Sequence, residues 1–271
     1  KLRALYLFCS FCQAGEIKVP KANQRLVGYL EKSVVAVKAP IEGGIFHPKM
    51  WALRFVSPGR PIRYRLLCLS RNLTFDRSWD TVLALDGELA DRQRGYGDNR
   101  PLGEFFAALP VLAVHPLNPE DLTWIMTMAQ ELRRVAFELP SDVDRARFWP
   151  LGLTTTEQRP FAKRNLRTLV MSPFLSSEFL DELIEDRPDC ILISRPDQLA
   201  ALPASTLKRF KQVFALDHAA EELQSDDGDG DPGLAGLHAK LFVEDDGWDA
   251  RIYTGSANAT SAAFSRNVEF L

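Results

Sequence analysis

The sequence predicts an α/β fold, and three observations favour it. Strand-like and helix-like segments alternate along the 271 residues, as they do in α/β proteins. The composition is 46% hydrophobic and 25% charged, which is typical of a folded globular chain and excludes disordered, collagen-like and low-complexity classes. The same order of segments and polar residues occurs twice, which predicts two related units, residues 1–150 and 151–271.

The second unit has the clearer pattern of elements. Apolar stretches predict strands at residues 166–172, 190–194 and 213–216, separated by helices at residues 176–185 and 204–211. Residues 237–244 and 250–254 then predict a hairpin, and residues 259–264 predict a short helix. The acidic run at residues 226–231 lacks the glycine and glutamate positions of a calcium loop, so it is interpreted as a solvated loop.

The first unit repeats the later part of this order. The pattern predicts a strand at residues 2–9, a helix at 22–31, a strand at 34–37, a hairpin of 45–56 with 63–70, and a strand at 81–85. The opening strand and helix of the second unit have no counterpart here, so we expect a fragment of a longer protein with further domains. Residues 100–150 are interpreted as a connector that contains one helix, residues 119–135.

The four cysteines are too few for a disulfide scaffold in a chain of this length. Cys9 and Cys12 form a C-x-x-C motif, which is compatible with a zinc or redox site. The motif lies in an apolar stretch without a second pair nearby, so we interpret Cys9, Cys12, Cys68 and Cys190 as buried thiols in a reducing compartment. No apolar run approaches the roughly 18 residues of a membrane span. We therefore expect a cytoplasmic protein without stable membrane association.

The charge distribution is uneven along the chain. Residues 1–100 contain 17 Lys and Arg against nine Asp and Glu, whereas residues 101–271 contain 16 against 27. Arginines cluster on the first predicted hairpin, and a stripe of one sign can either attract a polyanion or form a solvated face. The candidate substrate-binding residues are Arg54, Arg63, Arg65 and Arg71.

Both units contain a histidine and a lysine two positions apart, in a strand-like stretch. Side chains at positions i and i+2 of a strand share one face, so each pair is presented together. Each pair is followed by a serine and an asparagine two apart, and then by an acid. The first set is His47, Lys49, Ser70, Asn72 and Asp80, and the second is His238, Lys240, Ser256, Asn258 and Glu269.

This arrangement resembles the signature of the phospholipase D superfamily, H-x-K-x4-D followed by G-S-x-N. The second unit matches at His238, Lys240, Asp245, Gly255, Ser256 and Asn258. The first unit departs from it, because Arg54 replaces the aspartate and Leu69 replaces the glycine. Loss of that aspartate is also found in the tyrosyl-DNA phosphodiesterase branch. The resemblance implies two pseudo-symmetric repeats with mixed sheets, an active site at the repeat interface, and a phosphodiesterase that needs neither metal nor cofactor.

The residue types suit phosphodiester cleavage, which needs a nucleophile, a proton donor and positive charge around the phosphate oxygens. One neutral histidine can attack phosphorus to give a phosphohistidine, and the other can protonate the leaving group and then activate water. We expect the lysines and asparagines to contact the oxygens and the serines to support the site. Asp80 and Glu269 are the candidates to hold the histidines, either within or across the units. The resemblance assigns His47 as nucleophile and His238 as acid/base, although pseudo-symmetry makes these roles interchangeable.

Three substrate hypotheses compete. The arginine stripe favours a nuclease that acts on DNA or RNA, with Trp79 and Trp51 available for stacking, although Trp51 also suits a core position. A phospholipid hydrolase or transferase is a second hypothesis, and the sequence lacks an amphipathic helix with a basic face. A non-catalytic binding module is the third. Nucleic acid is the expected partner.

Overall fold

The structure is a computed structural model, and it describes residues 7–17, 31–72, 78–154, 159–216 and 236–271. Three sequence-based expectations lie wholly or mainly outside these residues. The structure does not describe residues 2–6 of the predicted strand 2–9 or residues 22–30 of the predicted helix 22–31. It also does not describe the acidic loop at residues 226–231. The described residues form an α/β fold with mixed sheets and six helices.

The first half of the chain contains a parallel strand pair and a separate antiparallel sheet. Strands β1 (Ser10–Gln13) and β2 (Val34–Val37) pair in parallel. Strand β1 begins later than predicted, because its pairing with β2 starts at Ser10 and residues 7–9 make no ladder. The antiparallel sheet has the order β3 (Met50–Phe55), β4 (Arg63–Leu69), β5 (Val82–Leu89) and β6 (Val135–Phe137). The predicted hairpin is confirmed as β3 and β4.

Strand β4 follows the alternation that its sequence dictates. Tyr64, Leu66 and Cys68 are buried, while Arg63 and Arg65 between them are exposed. Successive side chains of a strand point to opposite faces, so one face of this sheet packs on the core and the other faces solvent. Two of the four candidate substrate-binding arginines therefore lie on the solvent face of the sheet.

The predicted connector packs against the first sheet. Helix α1 (Arg100–Leu112) was not predicted, whereas α2 (Pro119–Leu132) confirms the predicted helix and ends three residues early. The Asn118 side chain accepts a hydrogen bond from the Asp121 amide and so caps α2. The two helices bury apolar side chains in the same core as β4 and β5, and β6 follows directly after them.

The second half of the chain forms a five-stranded mixed sheet. Its strands are β8 (Arg167–Met171), β9 (Cys190–Ser194), β10 (Gln212–Ala215), β11 (Leu241–Asp245) and β12 (Ala250–Thr254). The order is β10-β9-β8-β11-β12, in which the first three strands are parallel and the last two are antiparallel. Its helices are α3 (Ser177–Leu183), α4 (Pro196–Ala201), α5 (Ala204–Leu207) and α6 (Ser261–Ser265). The predicted strands and hairpin of this half are confirmed.

The last residues of the chain join the two halves. Strand β13 (Glu269–Phe270) pairs with β7 (Pro150–Leu151), and Phe270 packs in the core of the first half. Leu271, by contrast, packs in the core of the second half. The C-terminal segment is therefore held between two hydrophobic cores, which positions Glu269 rigidly.

The cysteines only partly match the expectation of four buried thiols. Cys68 and Cys190 are buried, but Cys9 and Cys12 are half-buried; Cys12 lies in β1 and Cys9 directly precedes that strand. All four are free thiols, and burial raises the pKa of Cys9 to about 11. Among the described helices, none has the length and apolarity needed to cross a membrane.

Candidate active site

His47 is held by an acid from the opposite end of the chain. Phe46 forms a β-bridge with Val268, in which the His47 amide donates to the Val268 carbonyl at 2.9 Å. This pairing places the next residue, Glu269, beside the imidazole, with Nδ1 lying 3.0 Å and 3.1 Å from its two carboxylate oxygens. Glu269 is fully buried and accepts a 2.5 Å hydrogen bond from the Ser256 hydroxyl. The carboxylate fixes the proton on Nδ1, which leaves Nε2 with its lone pair.

His238 has the same backbone environment but no acid on its ring. Leu237 forms a β-bridge with Trp79, and the His238 amide donates to the Trp79 carbonyl at 2.9 Å. Asp80 therefore follows Trp79 as Glu269 follows Val268. The Asp80 carboxylate instead contacts Arg71 Nε at 2.6 Å, and His238 Nδ1 is buried without a hydrogen-bond partner among the described residues.

The two lysines lie in one buried cluster of charges. Lys49 is 7% exposed and Lys240 is 1% exposed, and each Nζ donates to the carbonyl of its own histidine, at 2.9 Å and 3.0 Å respectively. Lys240 Nζ also donates to the Ser70 carbonyl of the other half at 2.9 Å. The Lys240 side chain of the second unit thus contacts the backbone of the first unit directly.

Burial strongly changes the ionisation of both lysines. Burial lowers the pKa of Lys49 to about 7. The charge of Lys240 also lowers this pKa, whereas the charge of Glu269 opposes the shift. Burial also lowers the pKa of Lys240 to about 8, against the opposing charges of Glu269 and Asp80. Desolvation disfavours the ammonium form, so a bound anion would restore it. The cluster is therefore prepared to receive negative charge.

The surroundings of His238 strongly perturb its imidazole. Burial lowers its pKa to about 4, and the surrounding cations lower it as well. These cations come from both halves of the chain: Lys240, Arg71, Lys49 and Arg195. His238 is consequently neutral at pH 7, and it needs a nearby negative charge before it can carry the proton of a general acid.

The serines support the strands that carry the acids. The Ser256 hydroxyl accepts from the Phe270 amide at 2.9 Å while it donates to Glu269. The Ser70 hydroxyl likewise accepts from the Thr81 amide at 2.9 Å and donates to Asp80 at 3.3 Å. Both serines are fully buried, so their role is to position the neighbouring carboxylates.

The asparagines differ in their surroundings. Asn258 is half-buried, and its Oδ1 atom has no hydrogen-bond partner within the described part of the chain. Asn72 is exposed and directly precedes residues 73–77, which lie outside the described residues. Asn258 is therefore the more enclosed of the two asparagines.

Only one of the four candidate substrate-binding arginines lies in this cluster. Arg71 contacts Asp80 and acts on His238, as described above. Arg54 is at the far end of β3, where it forms two hydrogen bonds of 2.7 Å and 2.9 Å with Glu131. Arg63 and Arg65 lie on the exposed sheet face with carboxylate partners: Glu138 and Glu88 for Arg63, and Asp86 for Arg65. Strands β3 and β4 carry these three arginines away from the histidines, so their charges are used in ion pairs.

Asp245, the aspartate of the H-x-K-x4-D pattern, also lies away from the centre. It ends β11, pairs with Arg167, and accepts a 2.7 Å hydrogen bond from the Gly247 amide. Its role is to close the β11–β12 turn. The replacement of this aspartate by Arg54 in the first unit therefore leaves the cluster unaffected.

Two residues at the rim of the site were not recognised from the sequence. Arg195 lies 5.8 Å from the ring centre of Phe174, which is 38% exposed. Arg195 directly follows β9, and residues at the carboxyl ends of parallel strands often contact ligands, which is the signal that the sequence offered. Trp79 was recognised and is 60% exposed, whereas Trp51 is half-buried beside Phe8.

Within the residues that the structure describes, no group of three or more His, Cys, Asp or Glu side chains is placed to hold a metal ion. Comparison with protein-family models, with curated proteins and with solved structures finds no match for this chain. The functional conclusion below therefore follows from the geometry of the site.

Proposed function

We propose that the protein is a phosphodiesterase of the phospholipase D type that cleaves nucleic acid through a phosphohistidine intermediate. One observation carries this proposal: two His-Lys pairs from distant parts of the chain share one buried cluster, in which Glu269 orients His47 across the halves. Such a cluster offers a nucleophile, a proton donor and positive charge to a single phosphate.

The topology supports a two-repeat origin of this site. In each half the H-x-K pair precedes an antiparallel hairpin, β3–β4 or β11–β12, and the serine follows the second strand. Parallel strands accompany both hairpins: β1 and β2 in the first half, β8 to β10 in the second. The order in the second half places β8 between β9 and β11. In the described residues of the first half, no strand joins β1 to β3.

The proposed reaction begins with attack of His47 Nε2 on phosphorus. Glu269 keeps the proton on Nδ1 and stabilises the positive charge that develops on the ring as the Nε2–P bond forms. Lys49 and Lys240 offset the charge on the phosphate oxygens. His238, once protonated, gives its proton to the leaving oxygen, so that the P–O bond breaks and a neutral hydroxyl departs. His238 then takes a proton from water as the water oxygen attacks phosphorus; the Nε2–P bond breaks, the phosphomonoester is released, and His47 is regenerated.

The rim of the site favours nucleic acid over phospholipid. Trp79, whose carbonyl accepts from the His238 amide, has an exposed ring, and Arg195 lies against the exposed Phe174 ring. Aromatic faces stack with bases, and arginines contact phosphates, in proteins that bind single strands. Aromatic rings can also bind a cationic choline headgroup, but the cations around His238 repel such a group and favour a polyanion. These cations are Arg71, Arg195, Lys49 and Lys240.

The proposal is tested by incubating the protein with labelled single-stranded DNA and RNA, and in parallel with phosphatidylcholine vesicles. We expect cleavage of nucleic acid that persists in EDTA, because the lysines supply the positive charge. Cleavage of lipid alone would refute the nuclease and support a phospholipid hydrolase that uses the same site. Absence of cleavage in every arm would favour the binding module, and EDTA inhibition reversed by magnesium would overturn the metal-independent mechanism.

Trapping of the intermediate tests the roles of the histidines. His238→Ala, with a substrate that has a good leaving group, should accumulate phosphohistidine on His47, because no base remains to activate water. His47→Ala should form no adduct. The exposed His115 provides a matched control, and His115→Ala should cleave as wild type does. Label on His238 in the His47→Ala variant would reverse the two roles.

A further inference from the structure

The two histidines of the site are symmetric in backbone but asymmetric in their acids. In both cases the residue before the histidine forms a β-bridge with the residue before an acid. His47 and Glu269 make the expected contact at 3.0 Å. The same kind of bridge places Asp80 in the corresponding position for His238, but the Asp80 carboxylate contacts Arg71 instead. His238 Nδ1 has no hydrogen-bond partner among the described residues.

Arg71 explains this asymmetry. It lies between Ser70 and Asn72, and its Nε contacts Asp80 at 2.6 Å, with both side chains less than one-fifth exposed. The corresponding residue of the second half is Ala257, which has no charge to compete for Glu269. Arg71 therefore competes with His238 for one carboxylate, whereas His47 has no competitor of this kind.

We propose that Arg71 is a positioning residue that holds Asp80 away from His238 until a phosphate group binds Arg71 and releases the carboxylate to the imidazole. This inference rests on the proposed function, since it assigns a substrate-linked step to the same site. After the exchange, His238 donates its Nδ1 proton in a hydrogen bond to Asp80 and takes up a second proton from solvent at Nε2. The acid that protonates the leaving group is thus formed only when substrate is present.

The charges around His238 favour this order of events. Its ring faces a set of cations from both halves: Lys240, Arg71, Lys49 and Arg195. Neutralising these cations with a phosphate anion and adding the Asp80 contact both stabilise the imidazolium form. The phosphate also offers Arg71 a second acceptor in place of Asp80, with the fork geometry that guanidinium groups prefer.

The experiment is an NMR titration of the two histidine rings in the full chain, with inorganic phosphate as the probe. Phosphate should raise the pKa of His238 by about one unit or more, which is a tenfold change in proton affinity. In Asp80→Asn most of this rise should disappear. An equal rise in both proteins would refute the exchange, because the effect would then come from the phosphate charge alone.

Variants of Arg71 give an independent double-mutant cycle. Arg71→Gln should raise the pKa of His238 without phosphate, and adding Asp80→Asn should cancel much of that rise. Arg195→Gln is the matched control, because Arg195 also acts on His238 but pairs with Asp197 and not with Asp80. Combined with Asp80→Asn, it should give additive shifts. Additive shifts in the Arg71 cycle as well would overturn the proposal.

Failure of this inference is distinguishable from failure of the proposed function. The titrations need no turnover, so coupling among Arg71, Asp80 and His238 in a protein without nuclease activity would refute the nuclease alone. Cleavage without coupling would refute the exchange alone.

Discussion

Replacement of Glu269 by glutamine is expected to disable the nucleophile while the fold is retained. The side chain is fully buried, accepts from His47 Nδ1 at 3.0 Å, and receives a 2.5 Å hydrogen bond from Ser256. Glutamine has nearly the same shape but no charge, and its amide can present a donor to Nδ1. The imidazole then loses both its fixed tautomer and the partner that stabilises its positive charge.

The magnitude follows from two contributions. A hydrogen bond to a charged group contributes about 1.5–3 kcal/mol, which corresponds to roughly 10- to 150-fold in rate. The second contribution comes from Lys49. Its pKa is about 7, so about half of the Lys49 side chains are in the ammonium form at pH 7. Because the Glu269 charge raises this pKa, its removal leaves less of the charged lysine. Together we expect a loss in kcat of about 100- to 1000-fold.

The assay is the single-turnover rate of cleavage of a labelled single-stranded oligonucleotide at pH 7, with circular dichroism melting as a check on folding. Ser256→Ala is the matched control, because it removes one hydrogen bond to the same carboxylate and keeps the charge. We expect a loss of about tenfold for the control. A Glu269→Gln rate within threefold of wild type would refute the reasoning that a carboxylate orients His47.

Three further outcomes follow from the structure. Gly255→Ala should destabilise the fold by about 3 kcal/mol, because φ is +153° and a Cβ would lie 2.1 Å from the Phe270 carbonyl oxygen. Calorimetry should show a much smaller effect for the control Gly59→Ala, where φ is +69° and no described atom lies within 4 Å of the added Cβ. Phosphate affinity should fall as pH rises from 6 to 9, because the pKa of Lys49 is about 7 and binding favours its charged form. Calorimetric titration should therefore record proton uptake on binding. A constant affinity would contradict the assigned lysine cluster. Arg54→Ala should cost about 2–3 kcal/mol of stability with little change in kcat, because the Glu131 carboxylate loses its cationic partner and keeps the hydrogen bond from Tyr64. Arg65→Ala should change stability much less, because its ion pair is exposed; denaturant unfolding measures both, and a loss of activity without loss of stability would assign Arg54 to substrate contact.

Local patterns in the sequence determined most of the strands. The alternation in β4 and the apolar runs of β8 and β9 predicted these elements because each depends on neighbours within a few residues. Helix α1 was missed because Pro101 and Pro110 resemble breaks, although proline is tolerated in the first turn and the structure accommodates the second in the last turn. The two H-x-K motifs likewise predicted side chains that the structure brings into one cluster.

Only the tertiary structure decided which partners these residues have. Glu269 meets His47 across 222 positions of the chain, and no local pattern predicts that contact. The arginine stripe suggested one anion-binding surface, yet Arg54 pairs with Glu131 while Arg71 reaches the histidines, because the direction of a strand determines which end of it approaches the site. Side-chain periodicity is a local property of the backbone, whereas burial and ion pairing depend on long-range packing, and these set the ionisation on which the chemistry depends.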